Sequence, residues 1–409
     1  MARKMSSAPT YSLPEKDRLR IAVRLAQIRL ENPDLASPRQ INQRLTELGY
    51  RGQAEAREAA SVLAYRHFRR LWRVFVEKQP VDTLPARSHT LFLGASGCGK
   101  TFLVQLLFQK MLGLPTVMQD ITQFSQTGFV GREVQEILAD LVQAAGDDPL
   151  WASCGIVCLD EVDKLCSQSS PENGLAGRDV SGRGVQRELL GLLSAPAGRY
   201  RSDGPLREMT QELPLGNVLF VLCGAFAGIA QLAPRTSHPG LGFGTAPLPP
   251  AADRKHPRAF SRLDRERLRD PQALVRYGLM PELAGRLNRI VPLQPLEAPE
   301  LRAILHDTVL DQYRHEFNRE GIALELAPQA EEHLVSQALL SQSGARGLHG
   351  ALTAILEPAA YECLGCPDVE KVHLTLQDNR VVAQYTRRPT ERREKKGRKV
   401  TSTRDLDAA

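Results

Sequence analysis

Residues 90–101 constrain this chain more than any other stretch. Thr90-Leu91-Phe92-Leu93 is a short β-prone run, and Gly94-Ala95-Ser96-Gly97-Cys98-Gly99-Lys100-Thr101 follows as G-x-x-x-x-G-K-T. Residues 102–112 then place apolar side chains at helical spacing. Strand, glycine loop and helix in that order are what a phosphate-binding loop requires. A triphosphate needs several donors pointing inward and no side chains in the way. Gly94, Gly97 and Gly99 let the backbone curl so that N–H groups line a cavity. The helix opening near Lys100 adds its unpaired N–H groups and its dipole. The Lys100 ammonium is placed for the β- and γ-phosphates, and the Thr101 hydroxyl for Mg²⁺.

The second half of such a site is Gly155-Ile156-Val157-Cys158-Leu159-Asp160-Glu161. Four apolar residues make a buried strand, and two carboxylates follow at its C-terminal end, the edge where open parallel sheets bind ligands. Asp160 is placed to hold the Mg²⁺ shell, and Glu161 to polarise an attacking water. Acidic residues after an apolar run often serve only as helix caps. The glycine loop upstream makes the catalytic reading the stronger one here.

The rest of the chain surrounds this pair. Hydrophobic residues make up 42% and charged residues 24% of 409, so there is ample material for a folded core. Helices are expected over residues 17–30, 38–48 and 53–76, the last rich in arginine. Further strands are expected at 115–119, 217–224 and 290–293, a hairpin within 195–216, a helix at 133–144, and a mostly helical 271–286. From 297 the texture changes to helices at 300–318, 329–340 and up to 363, then strands at 371–376 and 380–385. The net charge of +6 is concentrated in the tail from 387 to 399. No run approaches the ~20 apolar residues a membrane span needs. No secretory signal opens the sequence, so a cytoplasmic protein without membrane partners is expected. Seven cysteines, an odd number, point to reduced thiols, and Cys363-x-x-Cys366 lacks the second pair a zinc site needs, so no zinc is expected. Cys98 is read as a small filler within the loop.

From about residue 37 to 385 the chain resembles the ClpX-type AAA+ unfoldases of the Clp/HSP100 group. Gly128-Phe129-Val130-Gly131 resembles their first pore loop, Gly-Tyr-Val-Gly, and residues 178–186 resemble the second. Leu279-Met-Pro-Glu-Leu-Ala-Gly-Arg286-Leu resembles the arginine-finger segment, and Gly344-Ala345-Arg346-Gly347-Leu348 the sensor-2 segment. The resemblance implies an α/β fold: an AAA+ P-loop NTPase large domain with a five-stranded parallel sheet flanked by helices, then a small, mainly helical α+β C-terminal domain. The expected boundaries are 1–35 for a helical extension, 36–294 and 295–386 for the two domains, and 387–409 for a basic disordered tail.

It also implies a homo-hexameric ring that hydrolyses ATP and threads unfolded or tagged protein substrates through its centre. Arg286 would reach the neighbour's ATP site, and Arg346 would sense nucleotide from the small domain. Tyr50 and Arg51 fall where the family lines its adenine pocket, with residues 94–102, through Phe102, wrapping the phosphates. Phe129 and Val130 would grip substrate. Leu241-Gly242-Phe243 falls where the family docks on the ClpP peptidase. No counterpart of the family's N-terminal zinc domain is expected, since no cysteine precedes Cys98. Two other readings stay open: a stand-alone protein-remodelling chaperone, and an AAA+ protein acting on nucleic acid through the arginine-rich helix and basic tail. The pore-loop pair argues for polypeptide, so no specific nucleic acid is expected.

Overall fold

Five short apolar runs become strands β1 (Thr90–Leu93), β2 (Thr116–Asp120), β3 (Ile156–Asp160), β4 (Leu219–Gly224) and β5 (Arg289–Pro292). The computed structural model describes residues 14–85, 87, 89–125, 131–167, 182–203, 208–229, 271–341, 343–366 and 368–388. The five strands form one parallel sheet in the order β2-β3-β4-β1-β5. They read as nearly unbroken apolar runs because both faces are covered, and successive side chains serve opposite faces. Leu91, Leu93, Val157, Leu159 and Phe220 enter one core, shared with helices Glu136–Ala144 and Gly182–Ser194. Phe92, Ile156, Cys158, Val221 and Cys223 enter the other. This is the α/β architecture expected from the sequence.

That second core is closed by α1 (Glu15–Glu31), α2 (Pro38–Glu47), α3 (Ala54–Phe75) and the helix after the glycine loop. Ser37 starts α2 by accepting from the Gln40 N–H at 3.3 Å, with Pro38 at the first helical position. Ile21 and Leu25 of α1 are fully buried in the same core as Leu103, Leu106 and Leu107. Arg20 and Arg24 each reach Asp148 at 3.0 Å, and the Arg24 guanidinium also lies over Trp151. Half-exposed pairs of this kind contribute at most about 1 kcal/mol each. Burying Ile21 and Leu25 contributes roughly 2 kcal/mol apiece, so packing rather than charge holds α1 in place. The arginine-rich α3 also has internal work. Arg70 donates to the Asn217 side chain and to the carbonyls of Pro85 and Gly216, and Arg69 pairs with Glu77.

Several elements differ in detail from expectation. The helix after the glycine loop is α-helical only over Lys100–Val104 and then widens to a π-helical stretch, Gln105–Met111. The expected helix at 133–144 starts later, because Arg132–Glu133 pairs in parallel with Phe124–Ser125. The 271–286 segment is two helices, Gln272–Tyr277 and Pro281–Ala284, separated at Gly278. The expected hairpin forms from Ala197–Asp203 and Glu208–Pro214.

A third core belongs to the C-terminal unit, built on helices Ala298–Ile304, Asp311–Arg319, Pro328–Leu340 and Gly344–Cys363. Its three-stranded sheet includes a strand, Ala323–Leu326, that the sequence reading placed in no element. The strand is only four residues long. It forms because Val369–Gln377 offers it a parallel edge, a pairing almost fifty residues away in sequence. No described helix is long and apolar enough to cross a membrane. Phe129, Val130, residues 178–181, Leu241, Gly242, Phe243 and the tail beyond 388 lie outside the described residues.

Candidate active site

The glycine loop leaves β1 at the C-terminal edge of the sheet and lies beside the end of β3. The Thr101 hydroxyl donates to Asp160 Oδ2 at 2.7 Å, so the two halves of the motif meet although 59 residues separate them. The Lys100 ammonium is buried and donates to the carbonyls of Gly94 and Ala95 at 2.7 and 2.9 Å. Among the described residues, no backbone carbonyl accepts from the N–H groups of Gly97 or Gly99. Unclaimed amides beside a buried ammonium at the head of a helix are donors for an anion, and a nucleotide's phosphates fit them. The Thr101 hydroxyl and Asp160 carboxylate together suit Mg²⁺, which takes one or two protein oxygens and fills its shell with phosphate and water. When bound, the ion neutralises charge on the phosphate oxygens.

Glu161 occupies a left-handed backbone conformation, φ 59°, which costs a non-glycine residue on the order of 1 kcal/mol. Its N–H donates to Asp160 Oδ1 at 2.9 Å. The strain aims one carboxylate at the Thr101 hydroxyl and leaves its neighbour exposed at the same edge. A carboxylate so placed can accept a proton from water. Asp163 completes this turn. It is buried, and its Oδ1 accepts from the Ala225 N–H at 2.9 Å just past β4, while the Val162 N–H donates to the Cys223 carbonyl. Sequence reasoning passed over Asp163. The only available signal was a third acid two residues after Glu161.

Tyr50 lies beneath the loop. Its ring stacks on Phe102, with centroids 6.1 Å apart, and a Cβ at Gly99 would sit 3.2 Å from its hydroxyl oxygen. That hydroxyl is buried with no hydrogen-bond partner among the described residues, and burial pushes its pKa up. Cys98 is buried in the loop as the filler expected there, its thiol pushed up by burial.

The small C-terminal unit rests directly on the loop. Gly97 has φ 75°, and a Cβ there would fall 2.2 Å from the Ser343 carbonyl oxygen. The Ala345 N–H donates to the Gly97 carbonyl at 3.2 Å, and Arg346 Nη1 donates to Ser96 Oγ at 3.2 Å. Gly344–Cys363, a 20-residue helix, thus presents its positive end to the loop. A cavity of about 210 Å³ separates Ser96, Gly97 and Cys98 from Leu296, Leu301 and Ala338.

Two other expected residues lie away from the glycine loop: Arg51, expected at the adenine pocket, and Arg286, expected to serve a neighbouring subunit. Arg51 turns away from the loop, and its guanidinium is held by Asp307 and the Thr46 carbonyl. Arg286 is exposed just before β5, whose Arg289 is level with Thr90, the first residue of β1. It therefore sits at the sheet edge opposite its own glycine loop. Its charge and that of Arg87 bear on His89, whose pKa is lowered to about 4, mainly by burial.

Comparison with known proteins agrees with this geometry. Residues 86–290 match the family model described as AAA domain (Cdc48 subfamily), and residues 296–365 match the C-terminal, D2-small domain, of ClpB protein. Over 360 residues the chain is 34% identical to the "ATP-dependent Clp protease ATP-binding subunit ClpX" of Azotobacter vinelandii, covering 85% of this chain and 79% of that one. The protein of the same description from Treponema denticola is 31% identical over 335 residues, 80% of this chain and 77% of that one. With the glycine loop, the Asp160–Glu161 edge and the small unit seated on the loop, these likenesses show that the chain belongs to the ClpX-type AAA+ ATPases and hydrolyses ATP.

Proposed function

We propose that this chain is the unfolding and translocating motor of a ClpP-type protease, working as a homo-hexameric ring that threads protein substrates through its centre. The observation that carries the reading is the seat of the small unit on the nucleotide loop, through Ala345 on Gly97 and Arg346 on Ser96. A change in the phosphates held by that loop changes what the small unit rests on, so hydrolysis can become movement. The relatives named above are ATP-binding subunits of an ATP-dependent protease, which supports the same reading.

In this account Lys100 and the loop amides bind the phosphates. Thr101 and Asp160 hold Mg²⁺, and Glu161 takes a proton from the attacking water. Arg286 lies on the wrong edge for its own site and serves the next subunit's, stabilising charge on the transferred phosphoryl group. Tyr50 and Phe102 border the base end. Phe129 and Val130 grip the polypeptide, and Leu241-Gly242-Phe243 docks on the peptidase.

The test is degradation of a tagged, folded reporter by this protein with ATP and a ClpP-type peptidase. Phe243→Ala is expected to abolish degradation while ATP hydrolysis continues within about twofold, as for a residue that serves docking and not hydrolysis. Hydrolysis without degradation by the native chain, with any such peptidase, would favour a stand-alone remodeller instead.

A further inference from the structure

Four consecutive residues, Tyr50 to Gln53, touch the nucleotide loop, the hinge and the small unit at once. Tyr50 lies against Gly99 and Phe102, as described above. Arg51 Nε donates to Asp307 Oδ2 at 2.7 Å, its Nη2 lies 2.7 Å from the same oxygen, and its Nη1 donates to the Thr46 carbonyl at 2.6 Å. Asp307 belongs to the π-helical stretch Leu305–Leu310 of the small unit. Gly52 has φ 68°, and a Cβ there would fall 2.1 Å from Glu300 Oε1, so this backbone is pressed against the small unit's first helix.

Gln53, left-handed at φ 52°, is bonded twice to the hinge. Its amide nitrogen donates to the Gln294 carbonyl at 2.6 Å, and its amide oxygen accepts from the Gln294 N–H at 2.8 Å. Residue 294 joins β5 to the small unit. A non-glycine residue holds such a conformation only where its surroundings compel it.

We propose that residues 50–53 form a clasp that couples occupancy of the base end of the nucleotide site to the angle of the small unit, with Arg51 as a positioning residue acting through Asp307. The proposal rests on the reading that Tyr50 borders the bound base. Gln53 holds the pivot at Gln294 through its two hydrogen bonds. The Arg51–Asp307 pair then sets how far the small unit closes over the 210 Å³ cavity between Ser96 and Leu301. Coupling of this kind is reciprocal: nucleotide that favours the closed unit also strengthens the pair, and breaking the pair weakens nucleotide binding. The Arg51 and Asp307 side chains are 26% and 43% exposed, so the effect is modest and screened by salt.

The experiment uses the full chain and compares Asp307→Asn, Asp307→Arg, and the exchange Arg51→Asp with Asp307→Arg. The readouts are KM and kcat for ATP and the Kd of a fluorescent ADP analogue. Both single variants are expected to raise KM and Kd about three- to sevenfold with kcat within about twofold, and the exchange to recover both to within about twofold of native. Asp307→Asn is isosteric at a half-exposed position, so it decides the matter should the arginine variants not fold. Native KM and Kd in Asp307→Asn, or an exchange no better than Asp307→Arg alone, would overturn the clasp. Lys100→Ala is the control: if it binds ADP normally, the nucleotide assignment itself falls, whereas lost binding there beside native Asp307 variants refutes the clasp alone.

Discussion

Glu161→Gln binds ATP within about threefold of the native affinity and turns it over at least roughly a hundredfold more slowly, as expected when a positioned general base is removed. Glutamine keeps the size of the side chain, and the main-chain bond from residue 161 to Asp160 Oδ1 does not depend on the side chain. Thr101, Asp160 and Lys100 keep their contacts, so the phosphates and Mg²⁺ lose nothing. What is lost is an exposed carboxylate whose strained backbone holds it beside the Asp160 pair. Equilibrium binding of a fluorescent ATP analogue and release of inorganic phosphate separate the two effects. Turnover within about fivefold of native would remove Glu161 from the chemistry and turn attention to Asp163, the other acid in the turn.

The second large effect belongs to Arg286. Arg286→Ala alone lowers hydrolysis by about a thousandfold, the scale typical of an arginine supplied to a phosphoryl-transfer site. Its position also predicts a rescue. In the proposed head-to-tail ring each site would join one subunit's Glu161 to its neighbour's Arg286. Arg286→Ala and Glu161→Gln proteins are each inactive alone. Mixed in equal amounts they form some interfaces with both native groups, about a quarter in a randomly mixed ring. Phosphate release by the mixture should therefore rise well above either parent. A mixture that stays inactive, while each parent still assembles and binds nucleotide, would place Arg286 outside the reaction or within its own subunit's site.

The parts of this machine legible in the sequence are those whose chemistry is local. Gly94 to Thr101 specifies its own turn, and Ile156 to Asp160 specifies a buried strand ending in acid. The two sets needed only the parallel order of the sheet to bring Thr101 onto Asp160. Residues that act across long separations were not legible. Arg51 suits the rim of a nucleotide pocket by motif, yet its guanidinium is claimed by Asp307, 256 residues away. Gln53 looks like an ordinary helix-opening polar residue until Gln294 is seen to face it. Asp163 is one acid among three until β4 supplies the Ala225 N–H. Ala323–Leu326 has too few residues to read as a strand without its partner. Arg286 was recognised by resemblance alone, and its place at the far edge of the sheet follows only once β5 is seen beside β1. The gripping role proposed for Phe129–Val130 and the docking role proposed for 241–243 rest on sequence, where two apolar residues between glycines have no evident role in a core.

Coupling of ATP hydrolysis to protein unfolding can be measured without any peptidase. A folded fluorescent protein with a degradation-type unstructured tail is mixed with the full chain and ATP, and its fluorescence is followed beside phosphate release. The account predicts ATP-dependent loss of fluorescence by the native chain and none by Glu161→Gln. Phe129→Ala should hydrolyse ATP within about threefold of native yet leave the reporter folded, the result expected of a residue that grips substrate and takes no part in hydrolysis. Unfolding undiminished in Phe129→Ala would contradict the pore-loop assignment. Vigorous hydrolysis by the native chain, with the tail bound and the reporter still folded, would contradict the account as a whole.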